Sequence, residues 1–171
     1  IPTNTPVAPT SPPGVTPQII SINPTADTFV SSSSPSKNFG SNSSLKIDSV
    51  PVKIAYLKFN LSPLVGKSII AANLKLRISS SSKSVQSVKN IPDTSWIESV
   101  ITYNTRPAMG VELSNFPGGS SGTWKEIPLT TYITANIGNT ITIGIESTGA
   151  DGMDIFSKEG GVNSPQIVAS Y

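Results

Sequence analysis

Two short segments of this chain place chemically useful side chains at every second residue. In Ala55-Tyr56-Leu57-Lys58-Phe59-Asn60-Leu61-Ser62, apolar Ala55, Leu57, Phe59 and Leu61 alternate with Tyr56, Lys58 and Asn60, and in Leu74-Lys75-Leu76-Arg77-Ile78 the apolar residues alternate with Lys75 and Arg77. A period of two belongs to a β-strand, so each segment is expected to bury its apolar face and turn the other to solvent. The outward set is then a tyrosine ring beside several cations. A ring supplies flat apolar area, and cations on a rigid sheet supply charge-assisted hydrogen bonds, which together suit an anionic polymer. Lys46, in Leu45-Lys46-Ile47, has the same outward parity, while Arg106 and Lys158 add cations from loops. The bland alternative is an ordinary solvated strand face, since lysine is usually exposed whatever its role.

What the chain lacks narrows the chemistry further. It has no histidine and no cysteine. That excludes a Ser-His-Asp triad, a Cys-His pair, imidazole-bound metals, thiolate zinc and disulfides, leaving carboxylate, Lys/Tyr or oxygen-ligated-metal chemistry. A glycosidase would need two of the ten carboxylates facing each other across a cleft, which small sandwiches usually lack, so the chain is read as noncatalytic. A net charge of +2 is too small for nucleic-acid binding by bulk electrostatics, and no apolar run approaches the roughly 18 residues that span a bilayer. No cofactor is required by these residues. A structural calcium stays open at two places. Asp151-Gly152-Met153-Asp154 sets two carboxylates in a glycine-containing loop, although Asp-Gly is also a turn signal, and Asp27 and Glu159 would share an ion if the first and last strands were neighbours.

The elements that must position these groups are short strands. Residues 1–18 form a Pro/Thr-rich stretch without a charge, expected to be a semi-rigid spacer to a neighbouring domain. From residue 19 the pattern predicts strands near 19–23, 26–31, 44–49, 53–61, 71–79, 84–89, 123–127, 140–147 and 165–171, a helical turn over Leu129–Ile137, and loops at 31–40, 62–66, 106–122 and 147–152. Nine strands without helical periodicity argue an all-β domain over 19–171, a two-sheet antiparallel β-sandwich of jelly-roll type. Trp96 and Ile101 read as core anchors, and Glu98 as an acceptor for a backbone N–H or for Arg106. Trp124 either stacks on sugar or covers the sandwich edge.

Several short motifs, taken in order, resemble a known family. They are Ala26-Asp27-Thr28-Phe29-Val30, Asn38-Phe39-Gly40, Tyr56 to Ser62, Ala71 to Leu76, Trp96-x-Glu98 followed by Ile101-Thr102-Tyr103-Asn104 and Pro107, and Phe156-Ser157-Lys158-Glu159. Together they resemble the DNRLRE-type domain, a group that includes carbohydrate-binding module family 96. The resemblance implies a noncatalytic β-sandwich appended to extracellular bacterial and archaeal proteins, with alginate binding among carbohydrate-binding members and calcium in some relatives. The expectation is therefore a secreted or cell-surface monomer that binds an acidic polysaccharide, alginate above others, and targets a neighbouring polysaccharide-degrading domain. It has no nucleic-acid or membrane partner. The expected ligand residues are Lys46, Tyr56, Lys58, Lys75, Arg77, Arg106 and Lys158. A structural or adhesive domain of a surface protein is the alternative from another class.

Overall fold

The computed structural model describes residues 16–171. Of the Pro/Thr stretch, 1–15 lie outside the described residues; at its other end Gln18 already exchanges backbone hydrogen bonds with Tyr171, at 2.9 and 3.0 Å. Eleven strands follow: β1 (Ile19–Ile22), β2 (Ala26–Ser31), β3 (Ser44–Ser49), β4 (Val52–Asn60), β5 (Ala71–Ser80), β6 (Ser82–Ile91), β7 (Glu112–Gly119), β8 (Trp124–Pro128), β9 (Thr140–Ser147), β10 (Met153–Phe156) and β11 (Gln166–Ser170). The single α-helix among the described residues, α1 (Thr130–Ala135), sits where a helical turn is expected, and 3-10 turns cover Ser62–Leu64 and Lys158–Asn163. No helix among the described residues is long and apolar enough to cross a membrane.

All strand pairs are antiparallel, and the sheet curls into the two faces of the expected sandwich. One half runs β1-β11-β5-β10-β3, with β8 on the free edge of β5; the other runs β4-β9-β6-β7, with β2 on the free edge of β4. The β3–β4 hairpin joins the halves through Asp48 opposite Lys53 and Ser49 opposite Val52. Between the halves lies the main core, in which Leu57, Phe59, Leu74, Leu76, Ile78, Ile143, Ile145, Ile155 and Ile167 are fully buried. Each such side chain contributes about 1.5–3 kcal/mol of burial free energy, and together they fix the register, because a one-residue slip would turn every one of them outward.

Two strands lie where the sequence reads as loop or turn. β7, Glu-Leu-Ser-Asn-Phe-Pro-Gly-Gly, carries a proline and two glycines, the usual marks of a loop, yet it pairs with β6 as an edge strand with two register shifts. Edge position tolerates the proline. Gly118 is required there, since a Cβ would sit 2.1 Å from the carbonyl oxygen of Ser82. β10 is only four residues long and follows a glycine-containing turn. It bridges β3 and β5, and Met153 and Ile155 plug the core.

A second, smaller core lies on the outer side of the β4-β9-β6 half. There Val30, Ile54, Tyr56, Ile91, Trp96 and Ile101 pack beneath the segment that connects β6 to β7. Trp96 and Ile101 are thus anchors, as expected, but they anchor this covering segment to the outside of the sheet. The indole Nε1 of Trp96 donates to Thr142 Oγ1 at 3.0 Å.

Candidate functional site

The outer face of the first half carries the groups best placed to meet a ligand. Lys75 and Arg77 of β5 alternate with buried Leu74, Leu76 and Ile78, so they point away from the core. Residues directly opposite in an antiparallel pair share a face. Lys75 faces Glu126 of β8 on one side and Gln166 of β11 on the other, while Arg77 faces Trp124. The Lys75 ammonium lies 5.1 Å and the Arg77 guanidinium 5.9 Å from the centre of the half-exposed Trp124 ring. Lys75 Nζ also lies 3.3 Å from Glu126 Oε1, while Arg77 donates from Nε to Gly122 O at 3.2 Å and from its terminal nitrogen to Asn163 Oδ1. Lys46 of β3, between core residues Leu45 and Ile47, projects from the same side of the sheet and pairs loosely with Asp154 at 3.8 Å. Trp124 is therefore a ring with two cations beside it on the outer sheet face.

Tyr56 does not belong to that face. Expected at the surface, it is completely buried: its ring meets Trp96 edge-on at 6.1 Å, and its hydroxyl donates to Pro107 O at 3.0 Å. The alternation of β4 is real, but both of its faces are covered, one by the main core and the other by the segment joining β6 to β7. Burial accordingly pushes the Tyr56 phenol up to about 12. Tyr56→Phe should cost about 0.5–1.5 kcal/mol, the worth of one hydrogen bond, and leave sugar binding untouched; urea unfolding and a binding titration would check both.

Lys58 belongs to the same covered face. Its ammonium donates to Trp96 O at 2.5 Å and lies 4.4 Å from the Trp96 ring centre, and burial holds its pKa below the usual lysine value. Arg106 stacks on Tyr103 at 3.6 Å and donates to the Tyr103 carbonyl. Lys158 pairs with Glu98 at 3.2 Å and with Glu159. The seven expected residues thus split. Lys46, Lys75 and Arg77 share an outer face, whereas Tyr56, Lys58, Arg106 and Lys158 are committed to holding the covering segment and the turn after β10.

That turn carries an acidic cluster. Asp27 of β2, Glu98 of the covering segment and Glu159 of the Lys158–Asn163 turn bring carboxylate oxygens within 4.8 Å of one another. Glu98 Oε1 accepts the backbone N–H of Asp27 at 2.9 Å, as expected for a backbone donor, and pairs with Lys158 where Arg106 was the other expectation. Asp27 is fully buried: Oδ2 accepts the N–H of Lys158 at 2.6 Å, but Oδ1 has no hydrogen-bond partner among the described residues. Burial drives the Asp27 carboxyl up to about 7; the Lys158 N–H opposes the rise, and the charges of Glu159 and Glu98 add to it. Glu159 is held below the usual carboxylate range, because hydrogen bonds from Lys158 and Ser157 outweigh its burial.

The Asn-Phe-Gly motif explains why the cluster assembles. Asn38 Nδ2 donates to the carbonyls of Glu98 and Ile101, both at 2.7 Å, and pins the turn that presents Glu98. Phe39 stacks on Phe29 of β2 at 4.3 Å. Gly40 permits the close approach, since a Cβ would lie 2.4 Å from Glu98 O.

As a place for a hard cation this cluster fits. It offers oxygen ligands from three elements, one of them a buried carboxylate oxygen without a partner. The Asp151-Gly152 segment is a bend: Asp151 Oδ2 accepts the Lys83 N–H at 2.6 Å, and Asp154 points into the Lys46 pair.

A half-exposed ring beside two cations on the outer face of a β-sandwich has the form of a surface that binds. The comparison with known families agrees. The profile of carbohydrate-binding module family 96 matches residues 18–171, nearly the whole described chain, and the protein belongs to that family. Its class is that of a noncatalytic carbohydrate-binding module. No curated protein matches the chain.

Proposed function

We propose that this module binds an acidic polysaccharide, alginate above others, on the outer face that carries Trp124, Lys75, Arg77 and Lys46, and that it holds an appended polysaccharide-degrading enzyme to its substrate outside the cell. The observation that supports this most is Trp124 beside both Lys75 and Arg77, two cations of the neighbouring strand β5. A uronate polymer repeats one carboxylate per sugar ring, so a ring packed on Trp124 brings its own and neighbouring carboxylates toward the two cations. Glu126 and Asp154 occupy Lys75 and Lys46 in the free protein, but exposed ion pairs are worth only about 0–1 kcal/mol and exchange readily for a ligand carboxylate. Single-module affinity is correspondingly weak, and tethering to an enzyme raises it by effective concentration.

Affinity electrophoresis against alginate, pectate, xylan and cellulose tests the reading. Retardation by alginate is expected, weakening clearly between low and high salt because exposed charges are screened over about 8 Å at physiological ionic strength. Salt-independent retardation would count against the cations and leave ring stacking alone. Glu126→Gln, which frees Lys75, should strengthen alginate binding by a few-fold at low salt.

We also propose that Asp27, Glu98 and Glu159 hold a structural divalent cation of calcium type. Such an ion prefers several oxygen ligands, tolerates irregular geometry and would supply the partner that Asp27 Oδ1 lacks. Lys158, whose ammonium now pairs with Glu98 and Glu159, would give up those contacts.

A further inference from the structure

A groove of about 520 Å³ opens between the start of β7 and the β8–α1 corner, lined by Glu112, Leu113, Pro128, Thr131, Tyr132 and Ala135 among others. None of the residues assigned to the acidic-polysaccharide face lines it, although Pro128 lies opposite Asn73 of β5 and so brings the groove to the edge of that face. Its volume falls within the roughly 300–1,000 Å³ of small-ligand clefts, and its lining pairs apolar surface with a few polar groups in the usual manner of such sites.

The lining groups define the ligand. Tyr132 is half-buried, packs against the main core with its neighbour Leu113, and its hydroxyl makes no hydrogen bond to a described residue. It presents an aromatic wall with a free polar tip. Glu112 lines the same groove from the start of β7, where Oε2 accepts the Ser87 hydroxyl at 2.5 Å and Oε1 accepts the Asn115 amide at 3.2 Å. Those two hydrogen bonds hold the carboxylate ionised and leave part of its acceptor capacity free. The exposed Thr131 hydroxyl adds a donor and acceptor. No lysine or arginine lines the groove, and Lys89, which stands opposite Glu112 in the β6–β7 pair, is taken up by Glu146 at 2.6 Å.

A carboxylate without a lining cation repels a uronate or a phosphate and welcomes a ligand that donates hydroxyl protons. An aromatic wall in the same groove calls for a ring with an apolar face. A neutral pyranose has both, with axial C–H bonds on one face and hydroxyls around its rim. We propose that the groove beside Tyr132 and Glu112 is a second carbohydrate subsite, selective for an uncharged sugar unit, with the ring against Tyr132 and its hydroxyls donating to Glu112. The module would then read two chemistries, charged sugars on the Trp124 face and neutral ones at the groove.

Isothermal titration calorimetry and amide chemical-shift mapping with cellohexaose, xylohexaose, mannohexaose and an alginate hexamer test this on the chain as it stands. At least one neutral hexamer is expected to bind in the millimolar range, independently of salt, and to shift residues 112–113 and 128–135. Tyr132→Ala should weaken that binding by about tenfold or more. Glu112→Gln, an exposed change that leaves the core intact, should weaken it several-fold, and both variants should retain alginate-hexamer binding. The Lys75→Ala/Arg77→Ala double variant should keep neutral-hexamer binding. The proposal is overturned if no neutral hexamer binds, or if neutral binding follows Trp124 and Lys75 and ignores Tyr132 and Glu112. Because the alginate arm reports on the Trp124 face separately, failure of one reading is distinguishable from failure of the other.

Discussion

Calcium added to the chelator-treated protein is expected to raise its melting temperature by several degrees, and Asp27→Asn to remove that rise. A ligand that binds only the folded state stabilises it by about 2.7 kcal/mol at a hundredfold excess over its Kd, and for a domain of this size each kcal/mol moves Tm by about 2–4 °C. The same residue sets the sign of the pH response without metal. Asp27 has a folded-state pKa of about 7 against 3.8 for the free side chain, chiefly because its charge is buried. A raised pKa means that the native state holds the proton more tightly. The associated stability is fully present below about pH 4 and is lost as pH climbs through about 7. In chelator, wild-type Tm should therefore fall between pH 5 and pH 8, whereas Asp27→Asn, which keeps an oxygen for the Lys158 N–H but carries no charge, should not follow it and should be the more stable protein at pH 8. Saturating calcium should oppose the wild-type fall, because the ion favours the deprotonated carboxylate. Differential scanning calorimetry at several pH values with and without calcium checks all of this. A wild-type Tm that calcium leaves unmoved would remove the cation from the cluster.

Strands β3 and β5 were legible from period-two alternation because each has one face in the main core and little over the other. β4 has the same pattern with both faces covered, and there alternation misleads. It places Ala55, Leu57 and Phe59 correctly but cannot reveal that a distant segment, anchored by Trp96 and Ile101, lies over Tyr56 and Lys58. The clue was Trp96-Ile97-Glu98 itself: a tryptophan in a segment without strand pattern needs a sheet to rest on. The cationic strip divided for a related reason. Lys58 and Lys75 sit in opposite halves of the sandwich, and strand order is a long-range property that no local window contains. Trp124 could be singled out but not placed, because its value comes from standing opposite Arg77 across a pairing that joins residues far apart in the chain. The acidic cluster was half legible. Asp27 and Glu159 were paired on topology, while Glu98, held by Asn38 and Gly40, came from a third element.

Replacing Lys75 and Arg77 together by alanine should abolish most alginate binding and barely alter folding, whereas Leu76→Ala between them should do the reverse. The two cations lie on the solvent side of β5. What they lose on truncation is an exposed pair with Glu126, hydrogen bonds to Gly122 and Asn163, and packing of their stems on Trp124. Surface changes of this kind usually cost about 0.5 kcal/mol each, so a total near 1 kcal/mol is expected. Leu76 is fully buried in the main core, and its truncation should cost about 2–5 kcal/mol, through lost transfer energy and a residual cavity, while leaving the outer face as it was. Trp124→Ala provides the third arm. If a sugar ring packs on the indole, this variant should lose alginate binding even at low salt, where the two cations are strongest, because charge contacts alone are worth too little to hold a single chain. Urea unfolding gives the stability of each variant, and affinity electrophoresis at two salt concentrations gives its binding. If the double variant bound alginate like the parent, the Trp124 face would not be the site. If it lost binding while Trp124→Ala did not, the face would act through charge without stacking, and retention in the parent should then vanish at high salt.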